Sequence, residues 1–301
     1  MAHGHDHAPA NHDRAFAIGV ALNLGFVAVE AIFGFLAHSL ALVADAGHNL
    51  SDVLGLLLAW GAAVLARRRP TSRRTYGLRR SSILAAAVNA TVLLVAIGAI
   101  AWEAIRRLDH PEPVAGRTVI GVAVVGIAVN ATTALLFMKG RKGDLNIRGA
   151  FLHMAADAVV SLGVVLAGLA ILATGWQWLD PAVSLGIGAV ILVGTWGLLR
   201  DSVNLALDAV PEEVDAGDVR AYLAGLPGVV GVHDLHIWGM STTETALTAH
   251  LVAAGDARGD DVLLERVSRE LHDRFGIEHA TLQVEHGELC HGCSLVPAAA
   301  L

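Results

Sequence analysis

ALVADAGHNLSDVLGLLLAW occupies residues 41–60. It is apolar enough to belong to a membrane span, yet it carries Asp45, His48 and Asp52. An acid at the centre of a bilayer-spanning helix costs about 2.5–3.5 kcal/mol on insertion scales, so such a residue marks a functional position by default. His48 and Asp52 are four residues apart, one helical turn, and so project from the same face.

The rest of the chain fits a membrane setting. Only 16% of its 301 residues are charged while 54% are hydrophobic, against about a quarter charged in soluble domains. A net charge of −7 gives no basic footprint for nucleic acid. The N-terminus, MAHGHDHAPANHDR, is polar and has no apolar core, so a signal peptide is not expected. Segments of roughly 20 apolar residues are long enough to cross a bilayer. Six qualify, at 15–37, 40–66, 81–105, 117–138, 149–173 and 178–200.

Two links are strongly basic, RRRPTSRRTYGLRR at 67–80 and KGRKGDLNIR at 139–148. The positive-inside rule places them, and with an even number of spans both termini, in the cytoplasm. Arg106 and Arg107, which lie on the other side, are offset by nearby acids. The expected organisation is a histidine-rich tail over 1–14, a six-helix membrane domain over 15–208 and a cytosolic domain over 209–301. That last domain reads as α-β-β-α-β, an α+β unit with a three-stranded sheet. DAGDVRAYLAGL suggests a short helix, and GVHDLHIWGM and TALTAHLVAAG suggest strands. A second helix follows over 259–275, and ATLQVE makes the third strand.

Span five repeats the spacing of span two with His153 and Asp157. One pair alone also fits an interhelical hydrogen bond. Two pairs together supply two imidazoles and two carboxylates, a four-ligand N/O set that suits tetrahedral zinc better than calcium or magnesium. Asp45, three residues before His48, is a candidate outer acceptor for an imidazole N–H. Glu30, Asn23, Asn89 and Asn130 read as packing or water-lined polar contacts. Cys290 and Cys293 form a C-x-x-C, half of a four-ligand zinc site whose other ligands would come from His279 or the N-terminal His3, His5, His7 and His12, with a redox pair or inert thiols as the weaker readings.

The chain resembles the cation diffusion facilitators, most closely their zinc-transporting branch. The resemblance runs from about Phe16 to Glu285 and rests on an ordered set of motifs. In the membrane half these are SLALVADAGHNLSD at 39–52, LAAAVNA at 84–90, DLNIRGAFLHMAADAVVSLGVV at 144–165 and GWQWLDPAVSLGIG at 175–188. LDAVP at 207–211, VHDLHIW at 232–238 and HATLQVE at 279–285 follow in the tail. It implies a homodimeric transporter, not an enzyme, that exchanges Zn2+ for protons by alternating access across a bacterial inner membrane.

The resemblance further assigns His48, Asp52, His153 and Asp157 to the transport site, with a histidine at 48 favouring zinc. It also implies a metallochaperone-like cytosolic domain with a zinc site at His233, His250 and Glu285. Strand alternation puts His236 on the face opposite His233 and leaves it out of that site. The 67–80 loop lacks the ligands of a second metal site found in some members, and the 139–148 loop lacks a histidine-rich insert. Two other classes fit less well. An intramembrane zinc protease needs a base beside the metal, as in H-E-x-x-H, and the chain has no such motif. A membrane-anchored metal sensor would have no use for His153 and Asp157 within a span.

Overall fold

The computed structural model describes residues 13–66, 68–138, 145–254 and 260–286. Six long helices come first: α1 Asp13–Leu36, α2 Leu40–Ala66, α3 Ser81–Asp109, α4 Gly116–Met138, α5 Leu145–Thr174 and α6 Leu179–Ala206. They match the six apolar segments, with α3 running further than its apolar stretch. Glu103 explains that extension, accepting from Arg107 Nε at 3.0 Å one turn on, while the arginines suit the negative end of the helix dipole. Among the described residues four stretches have the length and hydropathy of membrane spans: Ser81–Asp109, Gly116–Leu135, Met154–Thr174 and Leu179–Ala206, beside a shorter apolar helix at Ala21–Leu36. Large apolar side chains such as Val190, Val193 and Trp196 point outward. That pattern is costly in water and favourable in lipid.

The contacts divide the chain into two compact units, Met1–Leu57 with Asn89–Gly197, and Leu58–Val88 with Leu198–Leu301. In the first, Phe26, Leu42, Val119, Val122 and Val164 form the core. Small residues let α4 approach its neighbours. A Cβ on Gly126 would come within 2.6 Å of the Phe26 ring and 3.2 Å of Ser161 Oγ, distances no side chain tolerates without displacement. Close helix packing through small residues is the usual solution in membranes, where no hydrophobic drive separates helix from lipid. It fixes α5, which carries Asp157, against α4.

Asp180, on the first turn of α6, anchors the start of α2. It is buried and accepts from Ser39 Oγ and, at 2.7 Å, from the backbone N–H of Leu40. The first four N–H groups of a helix have no partner within it, so Asp180 supplies a cap from another helix.

The second unit holds the α+β domain. Its elements are α7 Ala216–Ala224, β1 Val229–Gly239, β2 Thr245–Ala253, α8 Asp260–Phe275 and β3 Ile277–His286, the α-β-β-α-β order expected from sequence. Asp215 caps α7, accepting from the N–H groups of Gly217 and Asp218. The sheet order is β1-β2-β3, with β1 and β2 antiparallel and β2 and β3 parallel. Val219, Leu223, Val267 and Leu271 of the helices pack on Ile237, Leu247, Ala249 and Leu251 of the strands. Both helices thus cover one face of the sheet, and the residues that alternate with this core set lie on the other. The link after α2 is tied to this unit: Arg80 pairs with Asp208, Arg79 with Glu244, and Thr242 N–H donates to Ser82 Oγ at 3.1 Å.

Replacing Asp180 with alanine strands the Ser39 hydroxyl and the Leu40 N–H in the interior. A stranded buried polar group costs about 1–3 kcal/mol, so Asp180→Ala is expected to lower the thermal unfolding midpoint in detergent. Asp180→Asn, which retains one acceptor, should recover part of the loss. An unchanged midpoint in Asp180→Ala would show that the cap carries no stability.

Candidate metal centres

α2 turns His48 and Asp52 to one side, and α5 brings Asp157 to meet them. His48 Nε2 lies 3.7 Å from Asp52 Oδ2 and 3.6 Å from Asp157 Oδ1. Ligand atoms about 2.0–2.1 Å from a tetrahedral zinc lie roughly 3.3–3.4 Å from one another. Both carboxylates flank the same imidazole nitrogen, but the three are not all within 4.8 Å of one another, so sharing one ion requires the two carboxylates to close on His48. Asp157 is almost fully buried, whereas His48 and Asp52 remain about a quarter exposed. Position 153 lies on α5 one turn before Asp157, but the side chain of His153 falls outside the described residues.

The structure adds a neighbouring cluster. Glu30 of α1, fully buried, accepts from Asn49 Nδ2 at 3.1 Å and neighbours Asp45. Asp45, also buried, accepts from Ser161 Oγ of α5 at 3.3 Å. Sequence reading treats Glu30 as a packing contact. An acid near the middle of an apolar segment was the available signal, and only the fold shows that it faces Asn49, the residue after His48.

On the open face of the sheet the register pairs His233 with His250, and places Glu285 on β3 two residues beyond Gln283, the partner of His250. His233 Nε2 is hydrogen-bonded to Glu285 Oε2 at 3.0 Å. His250 Nδ1 is 2.8 Å from Glu285 Oε1 but is not aligned for a hydrogen bond, and it is buried. Ligand atoms of these three residues all lie within 4.8 Å of one another, the one such group among the described residues. Two imidazoles and a carboxylate suit zinc and related transition metals. A buried ring nitrogen without a hydrogen bond is the kind of group a cation satisfies.

One expectation is corrected here. The ladder runs from His233↔His250 to His236↔Thr248, so three residues of β1 are matched by two of β2. This bulge reverses the alternation, and His236 faces the same side as His233. Of the third proposed site, His279 is an exposed residue of β3 whose ring meets Tyr76 edge-on at 5.8 Å. Cys290, Cys293, His3, His5, His7 and His12 fall outside the described residues.

Two family models match the chain, the cation efflux transmembrane domain over residues 16–205 and the cation efflux protein cytoplasmic domain over 211–287. The zinc transporter ZitB of Escherichia coli is 38% identical over 97% of this chain and 95% of its own. A cadmium, cobalt and zinc/H(+)-K(+) antiporter of Bacillus velezensis is 35% identical over 95% of this chain and 92% of its own. The metal cation efflux system protein CzcD of Cupriavidus metallidurans is 36% identical over 94% and 89%. Among solved structures, a metal-bound C-terminal domain of the CzcD transporter is 35% identical over 24% of this chain and 99% of its own, with a TM-score of 0.23.

If His48 and Asp157 hold one ion, their contributions to zinc affinity are coupled. His48→Ala and Asp157→Asn are each expected to weaken that binding by at least about tenfold, roughly 1.4 kcal/mol. The double variant should lose clearly less than the sum, as residues sharing a partner do. Additive losses in zinc titrations of the purified protein would place the two residues in separate roles.

Proposed function

The chain belongs to the cation efflux family, and we propose that it is an integral membrane transporter that exports Zn2+ from the cytoplasm in exchange for protons. The observation that carries this reading is the convergence of His48, Asp52 and Asp157 within a helical unit. His153 is proposed as the fourth ligand, on the strength of its spacing from Asp157. Cadmium and cobalt, named for relatives, are the further ions this N/O set could carry. All six helices are proposed to span the bacterial inner membrane, with both termini cytoplasmic. The proposed divisions are the tail over 1–14, the membrane domain over 15–208 and the cytosolic domain over 209–301. The working form is proposed to be a homodimer, with His233, His250 and Glu285 holding a cytosolic zinc. His279, Cys290 and Cys293 are retained as a proposed additional ligand set.

Exchange follows from the chemistry of the ligands. Zinc needs neutral imidazole and ionised carboxylate, so metal and protons compete for the same atoms. Imidazole titrates near pH 6.5 when unperturbed, within the range separating the two sides of an energised membrane. Facing the cytoplasm, His48 and His153 give up protons as the ion binds. Facing a more acidic exterior, the cluster regains them and the ion leaves. Groups that share one ion titrate together, so the proton count would belong to the proposed cluster rather than to one residue. Rocking of helices around a fixed midplane site is a common form of alternating access.

The test is zinc uptake into proteoliposomes under an imposed pH gradient. The wild type is expected to accumulate zinc toward the acidic lumen and to stop when the gradient is collapsed. His48→Ala and Asp157→Ala should lose most of that flux, by about a hundredfold if a ligand is removed outright. Full flux in Asp157→Ala would remove this residue from the site, and flux indifferent to the gradient would exclude proton exchange.

A further inference from the structure

A third imidazole and a second carboxylate extend the cytosolic trio along the sheet. Reading outward from His233, Glu285 bridges to His250 Nδ1 as described above, and His250 Nε2 in turn faces Asp234 Oδ2 at 3.7 Å. Asp234 Oδ1 is hydrogen-bonded to His236 Nε2 at 3.0 Å. Imidazoles and carboxylates therefore alternate across five residues.

The backbone is shaped to produce this. Asp234 sits in the bulge of β1 with φ of 51°, a left-handed conformation that Asp and Asn adopt more readily than most residues. A bulge re-aims a side chain and bends its strand, and here it turns both Asp234 and His236 toward His250. His236 then holds one carboxylate oxygen and leaves the other facing the ring.

We propose that Asp234 is the positioning residue of the cytosolic metal site: its carboxylate faces Nε2 of His250 and holds the ring so that Nδ1 is presented beside Glu285 and His233, with Asp234 facing the Nε2–H once Nδ1 ligates. This rests on the reading that His233, His250 and Glu285 hold a cation. Neutral imidazole carries one N–H and one lone pair, and which nitrogen ligates is set by what the other faces. At 3.7 Å the pair is longer than a formed hydrogen bond, and the carboxylate acts on the ring through its charge. Ligating histidines characteristically turn their second nitrogen to such a group. His236 is the anchor of Asp234, to which its Nε2 is hydrogen-bonded at 3.0 Å.

The experiment uses the full-length protein in detergent, titrated with zinc against a competing chelator. Glu285→Gln identifies the zinc equivalent bound on this face. Asp234→Asn keeps the side-chain shape and tolerates the positive φ, while Asp234→Gly removes the side chain and relaxes that φ. Both are expected to retain the equivalent with affinity lowered about 10–100-fold, the usual effect of losing an outer partner of a metal ligand. Spectra of 15N-histidine-labelled, zinc-loaded protein should show His250 ligated through Nδ1 with an Nε2–H signal that shifts in Asp234→Gly. Wild-type affinity in both variants, or an unchanged His250 Nε2–H signal in Asp234→Gly, would overturn the assignment to Asp234. Loss of no equivalent in Glu285→Gln would instead overturn the site on which it rests.

Discussion

Charged groups inside a helical membrane unit persist only where they meet partners, and here the meeting point is the imidazole of His48. Its Nε2 faces carboxylates from its own helix and from α5. Much of the surrounding structure serves that encounter. Gly126 lets α4 close on Phe26 and Ser161, which seats α5. Asp180 caps α2 from α6, which seats the start of the helix that carries His48. Packing and capping that would ordinarily count as stability therefore also seat the helices that bring His48 and Asp157 together.

Balance of charge follows from the same encounter. In the proposed four-ligand site, two carboxylates and two neutral imidazoles would cancel the charge of a divalent ion, while the empty cluster would be left with charge that protons can neutralise. Such a site in lipid would hold either metal or protons, the physical basis of the proposed exchange. Buried Glu30 and Asp45, which accept from Asn49 and Ser161 on one oxygen each, add acidic groups beside this part of α2.

Much of this was legible in the chain. Hydropathy located the helices because apolar length is what a bilayer demands, and the four-residue spacing of His48 with Asp52 put both on one face of α2. The α-β-β-α-β order followed from changes in hydrophobic period. What was hidden depended on register and packing. Strict alternation misplaced His236, because a single extra residue in β1 reverses every face beyond it, and nothing in VHDLHIW announces a bulge. Glu30 was visible as an acid but not as a neighbour of Asp45, since helix-to-helix contacts are set by side-chain packing rather than by spacing along one helix.

Competition between metal and protons at His48 can be measured without a membrane. Protons released on zinc binding are counted by calorimetry in two buffers of different ionisation enthalpy, using full-length protein carrying Glu285→Gln to remove the cytosolic contribution. Zinc is expected to displace protons near neutral pH, and adding His48→Ala should reduce the number released. Identical proton release with and without His48 would contradict a shared site for metal and protons.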